Sequence, residues 1–108
     1  MKTIRYCFEY RSCPVWTYDD DGNIEYADIP EEWETNLELI NRLKRISSMY
    51  DACFVDTDKE FAFLGFVTRE AQKEFIKLVE QTRAELQALC AGCYTFVDET
   101  KNSIPAVR

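Results

Sequence analysis

The residues Ala71, Phe75, Leu78, Val79, Thr82, Leu86 and Leu89 recur at the spacing of one helix face, as do Trp33, Leu37, Ile40, Leu43, Ile46 and Tyr50. A helix with a single apolar stripe is stabilised mainly by burying that stripe, so both helices need an apolar surface to lie on. The remaining segments read as that surface. "TIRYCFEYR" alternates, with Ile4, Tyr6, Phe8 and Tyr10 on one face, the pattern of a strand. "VWTYD" and "IEYAD" flank "DDGN", where Gly22 and Asn23 can adopt positive φ at low cost, so a hairpin is expected. "ACFVD" and "FAFLGF", joined by the polar turn "TDKE", predict a second hairpin. Phe61 and Phe63 face one way there, with Ala62, Leu64 and Phe66 facing the other. Two apolar faces place this strand at the centre of the sheet. "CYTFVD" reads as a last strand.

Helix limits are marked by capping residues. Asp28 with Glu31 and Thr35 with Glu38 form two successive capping boxes, which predicts a short first turn followed by a main helix over 36–50. Thr68 is the expected N-cap of the second helix and Gly92 its left-handed stop. The resulting order is β-β-β-α-β-β-α-β. Strands joined mostly by hairpins, with two long helices, predict an α+β fold: a mainly antiparallel sheet of about six strands with both helices on one face. Residues 1–98 are expected to form a single domain, and 99–108 a loose tail.

A chain of 108 residues that is 46% hydrophobic can bury a core without covalent staples. It contains no apolar run long enough to span a membrane. "MKTIRYCFEYRS" lacks the continuous apolar centre of a signal peptide, so a cytoplasmic protein is expected. Its five cysteines then read as reduced thiols that behave as small hydrophobes.

Much chemistry is missing from the composition. With no histidine, the usual partner of a Ser or Cys nucleophile and the commonest zinc ligand are both lacking. The three glycines, Gly22, Gly65 and Gly92, are too dispersed to build a phosphate-cradling loop. The composition therefore points to a non-catalytic protein. "LCAGCY" has C-x-x-C spacing, but Cys90 and Cys93 fall at a helix C-terminus, where the dipole opposes a thiolate. Cys7 and Cys13 are too loosely spaced to complete a zinc site, so no metal is expected. "TYDDDGNIEYAD" aligns partly with a calcium loop. Thr17 stands where the first Asp belongs, Asp28 replaces the bidentate Glu, and no helix enters. No cofactor is expected.

The charge is what stands out. The net charge is −7, yet between Ser12 and Asn41 there are nine acidic residues and no basic one, while the rest of the chain carries eleven acids and thirteen bases. All of the net negative charge thus lies in one segment. Such a field repels nucleic-acid phosphates and anionic membranes and accelerates association with basic partners. The segment also carries Tyr18, Tyr26 and Trp33, and aromatics are favoured interface anchors. Trp33 is equally placed to begin the buried stripe of the following helix.

In size, charge and layout the chain resembles the immunity proteins of bacterial toxin systems, chiefly through "YDDDGNIEYADIPEEWE" followed by "FAFLGF". The resemblance implies neutralisation of a cognate toxin domain, such as a basic nuclease, by occlusion. Asp19, Asp20, Asp21, Glu25, Asp28, Glu31, Glu32 and Glu34 would stand in for phosphates, with Tyr18, Tyr26 and Trp33 as anchors. Two alternatives are a nucleic-acid mimic that inhibits a DNA-binding enzyme and a structural or adaptor protein whose acidic face is incidental.

Overall fold

In a computed structural model covering residues 1–108, the elements follow in the order β1 (Thr3–Tyr6), β2 (Val15–Tyr18), β3 (Ile24–Tyr26), a 3-10 turn (Glu31–Trp33), α1 (Leu37–Asp51), β4 (Phe54–Asp56), β5 (Phe61–Phe63), α2 (Arg69–Cys90) and β6 (Thr95–Asp98). The first alternating run is a strand only as far as Tyr6, and Leu37 of the expected α1 stripe is exposed while Leu39 is buried. The class is α+β. Ile4 and Tyr6 of β1 and Val15 of β2 are fully buried. They join Leu39, Leu43 and Ile46 of α1 and Phe75, Val79 and Leu86 of α2 in one core. The Tyr6 hydroxyl donates to the carbonyl of Val79 at 3.0 Å, tying the sheet to α2 in the middle of that core.

The helix signals translate directly. Thr68 caps α2, its side chain accepting from the amide of Ala71. The 3-10 turn and the helix after it match the expected short turn and main helix. The cap of α1, however, is Asn36, whose side chain accepts from Leu39, in place of either predicted capping box. Asn36 also donates to Glu85 of α2 at 2.8 Å, a long-range bond that favours its selection as the cap.

The sheet differs from expectation in two respects. Instead of one mainly antiparallel sheet of six strands, there is a four-stranded mixed sheet in the order β3-β2-β1-β6 and a separate two-stranded sheet, β4-β5. β6 runs parallel to β1, Thr3 opposite Thr95 and Tyr6 opposite Asp98. A 22-residue helix is about 33 Å long, long enough to return the chain to the end where β1 begins. There the Thr95 amide donates to the carbonyl of Lys2. "FAFLGF" is not a central strand. The amides of Leu64 and Gly65 both donate to Cys53, a bulge that ends the pairing. Gly65 then turns the chain at φ +89°, so that Phe66 bridges Val107.

The segment 99–108, expected to be loose, is packed down. Thr100 is fully buried, and Pro105 accepts a hydrogen bond from Gln72 of α2 at 3.0 Å. The Arg108 guanidinium donates to Gly65 at 2.9 Å. Arg83 of α2 holds the start of this segment through Asp98 and Thr100, at 2.5 and 2.8 Å. No helix is long and apolar enough to cross a membrane.

Candidate acidic interface

The eight carboxylates of residues 19–34 occupy the β2–β3 turn, β3, the link at Asp28, and the 3-10 turn with Glu34 just after it, following the β3 edge strand of the four-stranded sheet. The turn is built by Asp19. Its carboxylate accepts from the amides of Asp21 and Asn23 at 3.0 and 2.9 Å, and its own amide donates to the Asn23 carbonyl. This Asx-type turn employs Asp19 in folding the hairpin and leaves Asp20 and Asp21 exposed at the tip. β2 and β3 flank the loop where a calcium loop needs helices, and no three His, Cys, Asp or Glu residues converge anywhere in the chain to hold a metal ion.

Compensation along this edge is partial. Asp20 pairs with the amino group of Met1 at 2.9 Å, which holds its carboxyl below the usual range. Glu25 pairs with Lys2 at 2.8 Å. Asp19, Asp21, Asp28, Glu31, Glu32 and Glu34 take part in no ion pair. Tyr26 registers the resulting field. The neighbouring Glu31 carboxylate pushes its hydroxyl up in pKa, with desolvation and Glu25 adding to the effect. The Tyr26 hydroxyl donates to Glu31 at 3.4 Å.

The three aromatic residues fall in different places. Tyr26 is exposed. Tyr18 is half-buried and accepts from Arg5 at 3.3 Å, on the side of the sheet where Arg5 also sits over the Trp16 ring at 5.8 Å. Trp33 is only 6% exposed and packs edge-on against Tyr94 at 5.6 Å, so it is a core residue and no surface anchor. The apolar residue that does lie among the carboxylates is Ile24, 55% exposed at the start of β3. In sequence it reads as an ordinary strand residue. Its alternation with Glu25 marks it as sharing a direction with Tyr26, but only the edge position leaves that direction uncovered.

A groove of about 710 Å³ opens beside this edge, between α1 and the chain entering β2. Asp28, Ile29 and Glu34 line it from the acidic segment, Ile40 and Lys44 from α1, and Cys13 from the preceding loop. Its lining sets the carboxylates of Asp28, Glu34 and Asp51 beside the cations of Arg11 and Lys44, so the groove has no single sign of charge.

The thiols offer no nucleophile in this region. Burial pushes Cys7, Cys53 and Cys90 up to about 11 and Cys13 up to about 12. Among the five free cysteines only Cys93 is exposed. Iodoacetamide at pH 8 should therefore modify one thiol rapidly in the native protein, at Cys93, and the other four only on unfolding. Peptide mapping after a short pulse checks this, and rapid modification of Cys13 would contradict the burial assigned to it.

No protein-family model and no curated protein matches this chain, so its role must be read from the chemistry of its own surface.

Proposed function

We propose that the chain is a non-catalytic binding protein of the immunity type, acting in the cytoplasm by covering the active cleft of a basic toxin domain with its acidic edge. The observation that carries this reading is the set of exposed carboxylates without cationic partners, Asp21, Asp28, Glu31, Glu32 and Glu34, on the same segment as the exposed apolar residues Ile24 and Tyr26. Lysines and arginines that hold phosphates in a nuclease cleft are matched by carboxylates on such an edge, and unlike charges accelerate encounter. Ile24 and Tyr26 supply apolar contact between the charges. The confinement of the acids to one continuous segment, residues 19–34, favours a single cognate partner over a nucleic-acid mimic, whose carboxylates would come from well-separated parts of the chain.

The test is co-purification with the small C-terminal toxic domain of a large secreted protein encoded beside this chain. The triple variant Asp21→Asn, Glu32→Gln, Glu34→Gln should lower the association rate at least about tenfold at low salt and flatten its salt dependence. Stopped-flow binding checks both quantities. An unchanged rate with unchanged salt dependence would count against the acidic edge as the interface.

A further inference from the structure

The β4–β5 hairpin pairs Phe54 with Phe63, Val55 with Ala62 and Asp56 with Phe61, and neither strand has another neighbour. Hydrogen bonds at its two ends define which backbone groups point inward. The Thr57 amide donates to Glu60, and the Leu64 amide to Cys53, each at 2.8 Å. Bonded and non-bonded pairs alternate along an antiparallel ladder. Val55–Ala62 is therefore the bonded pair between these ends, and the N–H and C=O groups of Phe61 and Phe63 point away from β4.

The two edges of the hairpin are not equivalent. β4 is guarded by Asp56, which accepts from the Tyr10 hydroxyl at 3.0 Å and pairs with Arg11 at 3.4 Å. β5 carries no charge, proline or bulge between Phe61 and Phe63, the usual devices that keep an edge from pairing. Phe61 is 60% exposed and Phe63 52%.

We propose that β5 is a self-association edge, on which a second copy of this chain pairs antiparallel about a two-fold axis at Ala62. In that register Phe61 of each copy lies opposite Phe63 of the other as a bonded pair. The two pairs together form four backbone hydrogen bonds and satisfy every outward group of the strand. Ala62 meets its own copy in the close, non-bonded pair, where a methyl group fits. Tyr10, Phe54, Phe61 and Phe63 already form a cluster with ring centroids 4.5 to 5.6 Å apart. Pairing joins two such clusters into one aromatic layer.

Charge supports the same register. Glu60 comes opposite Leu64 of the second copy, beside Gly65, whose carbonyl holds the Arg108 guanidinium at 2.9 Å. The turn, which carries Asp58, Lys59 and Glu60 and so one net negative charge, is thereby set near the Arg108 guanidinium, which also donates to the Ala52 carbonyl, and not against its own copy. On β4 the equivalent two-fold pairing would set Asp56 against Phe54, which gives no such match. A contact built on three strand residues per copy is small, so the dimer is reversible.

Sedimentation equilibrium from ~10 μM to ~1 mM covers the range expected for a contact of this size. It should show a monomer–dimer equilibrium, with hydrogen exchange at the Phe61 and Phe63 amides slowing as dimer accumulates. Phe61→Lys with Phe63→Lys places like charges opposite each other in both pairs, whereas Phe61→Lys with Phe63→Glu places unlike charges there. Both variants lose the same aromatic surface, so protection of the Ala62 amide serves as the common check on hairpin folding. The first should dimerise about tenfold or more weakly than the second. A monomer throughout the wild-type range would overturn the proposal. So would a dimer whose Phe61 and Phe63 amides exchange freely, or two folded variants that associate equally. The acidic edge plays no part in any of these outcomes.

Discussion

Gly65→Ala should destabilise the protein by roughly 2–5 kcal/mol and release the end of the chain from the hairpin. Gly65 sits at φ +89°, where an L side chain is strained, and a Cβ there would overlap the carbonyl oxygen of Ala106. That oxygen is the acceptor for the Phe66 amide at 2.8 Å, so relieving the overlap breaks the bridge between Phe66 and Val107. Gly92→Ala is the control. It also has positive φ, but nothing lies within 4 Å of the added methyl group, so its cost should be about 1 kcal/mol. Urea denaturation gives the two costs, and exchange at the Phe66 amide reads the local release. Equal destabilisation by the two substitutions would mean that the chain end is not held against Gly65.

The second large effect is expected at Asp98. Its carboxylate lies on β6, 12% exposed, against the 15% exposed guanidinium of Arg83. It accepts from the amide and hydroxyl of Thr100 at 2.8 and 2.5 Å. Burial works against its charge, but the bonds from Thr100 and Arg83 outweigh it and hold the carboxyl below its ordinary value. Asp98→Ala leaves the Arg83 cation largely buried without its partner and should cost about 3 kcal/mol at pH 7. The same substitution in an Arg83→Met background should cost much less, because no unpaired charge remains.

The pH dependence follows from the direction of that shift. A carboxyl that is more acidic in the folded than in the unfolded state adds stability above its unfolded value, near pH 3.9. This stability is lost as pH falls through the lower folded value. The difference in stability between the wild type and Asp98→Ala should therefore be constant from pH 7 down to about 5 and shrink below about 4. Thermal or urea melts across that range test it, and a gap that persists undiminished at pH 3 would refute the assignment.

Several features were legible because they are encoded locally. The α2 stripe, its Thr68 cap and the stop at Gly92 depend on residues within a few positions of one another. The β2–β3 turn was legible for the same reason, since Asp19 and Asn23 close it within five residues. The concentration of charge in 19–34 was equally plain, whereas which of its residues reach solvent was not. Trp33 matched both a helix stripe and an interface anchor, and contact with Tyr94, distant in sequence, places it in the core. Ile24 has an ordinary strand pattern, and its exposure results from β3 having only one neighbour. The Asn36 cap was missed because two better local motifs preceded it, while the bond to Glu85 that accompanies Asn36 crosses to another helix.

By itself the sequence determined the identity and extent of the helices, the positions of the strands, the α+β class and the location of the negative charge. Each of these rests on periodicity, capping or composition, which act over one or two turns of chain. Tertiary structure decided which strands are neighbours. The parallel pairing of β1 with β6 joins residues some ninety positions apart, and its loop-closure entropy is offset only by the core that α2 forms on the way back. It also decided that "FAFLGF" stands outside the main sheet, because Gly65 turns the chain toward Ala106 and Val107 instead of toward another strand. That choice gives residues 99–108 their place in the fold and leaves the far edge of β5 without a partner in the chain, since strand pairing depends on what lies alongside in space, and an alternating apolar segment carries no record of its neighbour.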